Sequence, residues 1–126
     1  MSPDEPEWRA LTELGTLLID QGQLADARTI FAGLAALAPA DEAPLRNLAT
    51  IAARERDWHE AARLAVMAID RGADHAVRLL AGEAFVATGR YAEAGMVLRN
   101  LLALVPRDNA ERALAGRAAT LAERFC

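Results

Sequence analysis

Between residues 8 and 34 the large apolar side chains recur every three or four positions: Trp8, Leu11, Leu14 and Leu18, then Leu24, Ala27, Phe31 and Leu34. That is the period of one face of an α-helix, not the alternation of a strand. Similar runs, separated by short breaks, continue to the C-terminus and predict seven helices, at about 7–21, 24–38, 42–55, 58–71, 75–88, 91–104 and 108–124. The start and stop signals agree with these limits. Asp41, Asp74 and Asp108 each precede a run, where an aspartate can accept from the first free backbone N–H groups, and Glu111 completes a capping-box variant with Asp108. Pro44 falls in a first turn, where its missing N–H costs nothing, and Gly72 is placed to end a helix with positive φ.

The runs also repeat. Gly22-Gln23-Leu24-Ala25-Asp26-Ala27 and Gly89-Arg90-Tyr91-Ala92-Glu93-Ala94 share one order: Gly, polar, large, Ala, acidic, Ala. Arg56-Asp57-Trp58-His59-Glu60-Ala61 lies between them, with Trp58, Glu60 and Ala61 in register, 34 residues separating Ala27 from Ala61 and 33 separating Ala61 from Ala94. Pro39 and Pro106 mark the ends of two units, and Gly72-Ala73 holds the equivalent place between them. A small residue recurs on the first helix of every unit, at Gly15, Ala49, Gly82 and Gly116. The last of these opens a fourth unit that stops after one helix. The chain is therefore divided into helix-turn-helix units at about 8–41, 42–74 and 75–108 and a closing helix at 108–124, one domain over 7–125 behind a disordered N-terminus at 1–6. The small residues, with Ala27, Ala61 and Ala94 on the second helices, let paired helices approach, and Leu18, Phe31, Phe85, Tyr91 and Leu98 fill the space between them. One such pair cannot bury its apolar face alone, so stacking supplies the core.

Composition supports a helical array. Of 126 residues, 30 are Ala and only 5% are aromatic, which suits close-packed helices better than sheets. All 14 basic residues are Arg, so chemistry that needs a lysine is excluded. A net charge of −4 argues against a chain that works by neutralising phosphates, so no nucleic-acid partner is expected. The single Cys126 precludes an intrachain disulfide, and its terminal place suggests a frayed residue rather than a reactive thiol. The acidic start has no apolar leader core and no stretch is long enough to cross a membrane, so a soluble cytoplasmic protein is the default.

The run Leu14-Gly15, Leu18, Gly22, Leu24, Ala27, Phe31, Pro39 resembles the tetratricopeptide repeat, with Leu34 departing where that family prefers Ala. Gly82, Phe85, Gly89, Tyr91, Ala94, Leu98 and Pro106 match nearly as well, whereas the middle unit departs at Ala49, Arg56, Ala65 and Ala73, which puts its turn geometry in doubt. The resemblance covers about residues 8–125 and implies an all-α, right-handed solenoid whose first helices line a concave, protein-binding face. By repeat position that face comprises Arg9, Thr12, Thr16, Ile19 and Asp20, then Arg46, Asn47, Thr50 and Arg54, then Leu79, Glu83 and Val86, and finally Ala113, Arg117 and Leu121. The clamp by which some repeats grip heat-shock C-termini is not expected, because Asn47 is present but its lysines are missing. A short, acidic array of three units and a closing helix is also similar to the bacterial type III secretion chaperones built from these repeats. The resemblance thus implies a chaperone or adaptor holding a partner segment with apolar anchors. The alternative is an assembly scaffold, binding through the array ends or convex face, with Trp8 either a lid on the first unit or a homodimer contact.

No constellation calls for catalysis, a metal or a cofactor, and none is expected. His59 stands beside Asp57 and Glu60, but Trp58 and Ala61 take the inward repeat positions, which leaves His59 facing solvent. His59 and His75, 16 residues apart without a nearby Cys, form no recognisable metal pattern. The arginines Arg46, Arg54, Arg56 and Arg63 read as a solvated face with helical charge pairs such as Glu60–Arg63; their functional alternative is an acidic partner at Arg46 and Arg54.

Overall fold

The computed structural model describes residues 4–125, and Cys126, expected to fray, lies outside them. Seven helices follow one another: α1 Glu5–Asp20, α2 Leu24–Leu37, α3 Glu42–Arg54, α4 Trp58–Asp70, α5 His75–Ala87, α6 Tyr91–Leu102 and α7 Asn109–Phe125. Their ends fall within two residues of the predicted ones. The main departure is the N-terminus, where Asp4 accepts from the Glu7 N–H at 2.9 Å and Pro6 sits in the first turn. Glu5 and Pro6 are thus helical rather than part of a disordered 1–6, and residues 1–3 lie outside the described chain.

Each helix packs against its neighbours in sequence, and the first helices of successive units also meet, α3 with α5 and α5 with α7. The second helices do not pack on one another to a comparable extent. From α3 onward the odd-numbered helices therefore form the inner layer of a curve and the even-numbered helices its outer layer.

The turns within the units are built alike. Gly22 and Gly89 take positive φ, 77° and 75°, and Arg56 takes the same left-handed conformation at 61°. In each turn the left-handed residue donates its N–H to the carbonyl three residues back and the next residue to that five back: Gly22 to Ile19 and Gln23 to Leu18, Arg56 to Ala53 and Asp57 to Ala52, Gly89 to Val86 and Arg90 to Phe85. This is the Schellman arrangement, which satisfies carbonyls left open at the helix end. The middle turn thus keeps the geometry that its sequence put in doubt. Arg56 adopts it with a side chain in place, at a cost of about 1 kcal/mol. Asp57 then caps α4, accepting from the Glu60 N–H at 3.3 Å.

Packing follows the repeat register. A Cβ added at Gly15 would lie 2.6 Å from the Phe31 ring, and one at Gly82 would lie 2.6 Å from Leu98. In the middle unit the same two places hold Ala49 and Ala65, both fully buried. An extra methyl on the first helix is matched there by a smaller side chain on the second. The central core is mostly alanine, with Leu45, Leu64, Val77 and Phe85 as its larger members. Trp8 packs half-buried against the Ile19, Phe31 and Leu34 cluster and covers the first unit. At the other end Leu79, Leu98, Leu101 and Ala118 join α5, α6 and α7.

Candidate peptide-binding groove

Two cavities lie along the inner layer. One of about 350 Å³ is lined by Arg46, Asn47 and Thr50 of α3, Val77, Leu79, Leu80 and Glu83 of α5, and Leu114 and Arg117 of α7. The other, of about 620 Å³, lies between α5 and α7, lined by Leu79 and Glu83 and by Ala113, Gly116, Arg117, Thr120, Leu121 and Arg124. Eight predicted residues, Arg46, Asn47, Thr50, Leu79, Glu83, Ala113, Arg117 and Leu121, are thereby brought to one continuous face.

The polar side chains of this face are largely satisfied by their own helices. Thr50 and Thr120 each donate a hydroxyl to the carbonyl four residues back, at 3.1 Å. Asn47 donates its amide to the Ala43 carbonyl at 3.0 Å. With these groups bonded inward the threonines offer methyl groups, so the lining is more apolar than its composition suggests. Arg46 donates to Glu42 at 3.1 Å, and Arg117 bridges from α7 to Glu83 of α5 at 3.0 Å.

Other expected residues stand elsewhere or lie deeper than expected. Ile19, at 4% exposure, belongs to the core with Phe31 and Leu34 instead of the open face. Leu79 is 3% exposed and is the floor of both cavities, backed by Leu98 and Leu101, rather than a free contact. Val86 is half-buried against the central core. Arg54 approaches the Ile19 carbonyl at 3.5 Å and ties the end of α3 to that of α1, while Thr12 and Thr16 line neither cavity. Thr120, Gly116 and Arg124 were missed, although Thr120 lies 34 residues after Val86 and Gly116 lies 34 after Gly82. One more step of the repeat register into the closing helix finds both.

The other charges form local pairs. Arg63 holds the Glu60 carboxyl below the usual carboxylate range through a side-chain hydrogen bond, Arg90 does the same to Glu93, and Arg107 to Glu111. Arg28 pairs with Glu55 across α2 and the α3–α4 turn. His59 is exposed, and Asp57 beside it is engaged as a helix cap. Among the described residues no group of three or more His, Cys, Asp or Glu could hold a metal, and no helix is long and apolar enough to cross a membrane.

No protein-family model matches the chain, and no curated protein matches it in sequence. Solved structures do match. The type III secretion chaperone SycD of Yersinia enterocolitica, in complex with a peptide of the translocator YopD, superposes with a TM-score of 0.88 over 97% of this chain and 94% of that one, at 18% identity. PcrH of Pseudomonas aeruginosa, in complex with the chaperone-binding region of PopD, gives 0.88 over 98% and 94%, at 22% identity. The second tetratricopeptide domain of human RPAP3, in complex with an HSP70 peptide, gives 0.76 over 91% of each chain, at 19% identity. Seven helices in this order, with left-handed turns in register and near-complete superposition on these arrays, establish that the chain has the tetratricopeptide-repeat fold.

Proposed function

We propose that this protein is a non-enzymatic chaperone or adaptor that cradles one segment of a partner protein in the groove along α3, α5 and α7. The observation that carries the proposal is the pair of joined cavities on the inner helices of a fold shared, over nearly its whole length, with chaperones solved around partner peptides. The groove residues are Arg46, Asn47, Thr50, Glu83, Arg117 and Leu121 above a floor of Leu79. Burial of the partner's apolar side chains there withdraws them from aggregation, and a competing partner suffices for release. Similarity to SycD and PcrH favours a bacterial cytoplasmic chaperone of a type III secretion substrate.

Leu79→Asp does not test this, because a charge on a buried floor unfolds the protein. Thr120→Trp does, since Thr120 is exposed and its enlargement fills the larger cavity. Tagged protein recovered from its native host is expected to carry a secretion substrate that the Thr120→Trp variant loses while keeping its helical circular dichroism. A partner retained by that variant refutes groove binding.

A scaffold role draws support from one feature. Leu11, Leu14 and Leu17 of α1 are 36%, 46% and 51% exposed, whereas their repeat equivalents Leu45, Leu48 and Ile51 are buried or half-buried. The first unit therefore offers an apolar end for assembly.

A further inference from the structure

The two cavities share three lining residues, Leu79, Glu83 and Arg117. Leu79 is their common floor, and the Glu83–Arg117 ion pair crosses from α5 to α7 above it, dividing the groove into two apolar compartments. On the α3 side lie Val77, Leu80 and Leu114; on the far side lie Leu121, Ala113 and the Thr120 methyl. A guest that uses both compartments must pass over this pair. Resting on the groove reading above, we infer that the guest is an extended segment carrying a carboxylate side chain between two apolar anchors, with the carboxylate seated on Arg117.

The charge distribution favours that occupant. The chain carries a net charge of −4, yet the two cavities are lined by three arginines, Arg46, Arg117 and Arg124, against the single carboxylate Glu83. Arg46 already has Glu42 beside it, and the Arg124 guanidinium lies 6.0 Å from the centre of the Phe125 ring. Arg117 sits at the dividing point with its side chain 65% exposed. Its contact with Glu83 uses one of the five donors of a guanidinium, so the fork can accept a second carboxylate. A basic guest residue would instead meet Arg117 at close range and be repelled. The spacing is also suitable: packed helices lie about 10 Å apart, and because alternate side chains of an extended chain face one way, an acidic residue with anchors two positions to either side, about 13 Å apart, presents all three side chains to the groove.

Selection of random peptides displayed on phage tests the inference, using the folded protein and the Arg117→Glu, Glu83→Gln and Thr120→Trp variants as baits. The wild type is expected to enrich an acidic residue flanked by apolar ones. Arg117→Glu, on an exposed side chain, is expected to bind those peptides roughly tenfold more weakly, the equivalent of one charge-assisted hydrogen bond, and to select Lys or Arg at the same place. Glu83→Gln removes the internal competitor and is expected to tighten binding several-fold. Apolar peptides with no acidic preference, selected equally by the wild type and Arg117→Glu but lost with Thr120→Trp, would overturn the carboxylate and leave groove binding intact. No selected peptide, or peptides indifferent to Thr120→Trp, would overturn both.

Discussion

Gly82 and Gly116 occupy the same repeat position 34 residues apart, yet alanine at these two places is expected to act with opposite signs. Both lie inside helices, so both gain about 1 kcal/mol of helix propensity from the substitution. The difference is what a new methyl meets. At Gly82 the Cβ would come within 2.6 Å of Leu98 Cδ2 and 2.9 Å of its Cγ, and Leu98 is fully buried, without a solvent-facing rotamer to escape into. Overpacking of that kind costs about 1–3 kcal/mol, which cancels or outweighs the propensity gain. At Gly116 nothing lies within 4 Å, because α7 has no second helix to meet it. Gly116→Ala should therefore stabilise by about 1 kcal/mol, and Gly82→Ala should be neutral to about 2 kcal/mol destabilising. Propensity cancels in the comparison, leaving a gap of about 1–3 kcal/mol that reports packing alone. Urea titrations followed by far-UV circular dichroism and by Trp8 and Trp58 fluorescence measure it, with agreement of the two probes checking cooperativity. Equal shifts of the same sign in both variants would refute the close-approach account.

Arg56→Gly is expected to stabilise modestly, by up to about 1 kcal/mol, since it relieves a left-handed non-glycine while loosening the unfolded chain; a thermal melt that falls would contradict the turn geometry. Asp57→Ala removes the α4 cap and should cost about 1 kcal/mol in the same assay. Leu79→Asp should cost more than about 4 kcal/mol, and a folded Leu79→Asp protein would show that this side chain is not the groove floor. The carboxyls of Glu60, Glu93 and Glu111 sit below their ordinary value of 4.5, so the unfolded chain binds protons more readily than the folded one. The stability they contribute is complete above that value and fades as pH falls through their lowered folded values, and the melting temperature of the Glu60→Gln, Glu93→Gln, Glu111→Gln variant should fall less over that acid range.

Most of the fold could be read from the sequence because it rests on local periodicity: the 33- and 34-residue spacing, the glycines and the aspartate caps specify helix ends without reference to distant contacts. The middle turn was the exception. Its glycine is replaced by Arg56, and only the recurrence of the two backbone hydrogen bonds shows that the conformation survives. The groove was partly legible. Repeat position identifies which side of a helix faces inward, but not how deep a residue lies: Ile19 and Leu79 sit on the first helices of their units and are nonetheless sealed by Phe31 and by Leu98 and Leu101. Hydroxyl direction was also invisible, and it is what leaves the methyl groups of Thr50 and Thr120 to the groove. The Glu83–Arg117 bridge joins residues 34 apart on different helices, a pairing that helix-local charge rules do not reach.

The connectors give the array uneven mechanical compliance. Three residues join the two helices of each unit, all locked by the same pair of backbone bonds, and four residues join one unit to the next. Six residues, Ala103 to Asp108, precede α7. Should a bulky guest occupy the proposed groove, the longer tether is expected to yield before the tight joints, opening α7 from α5.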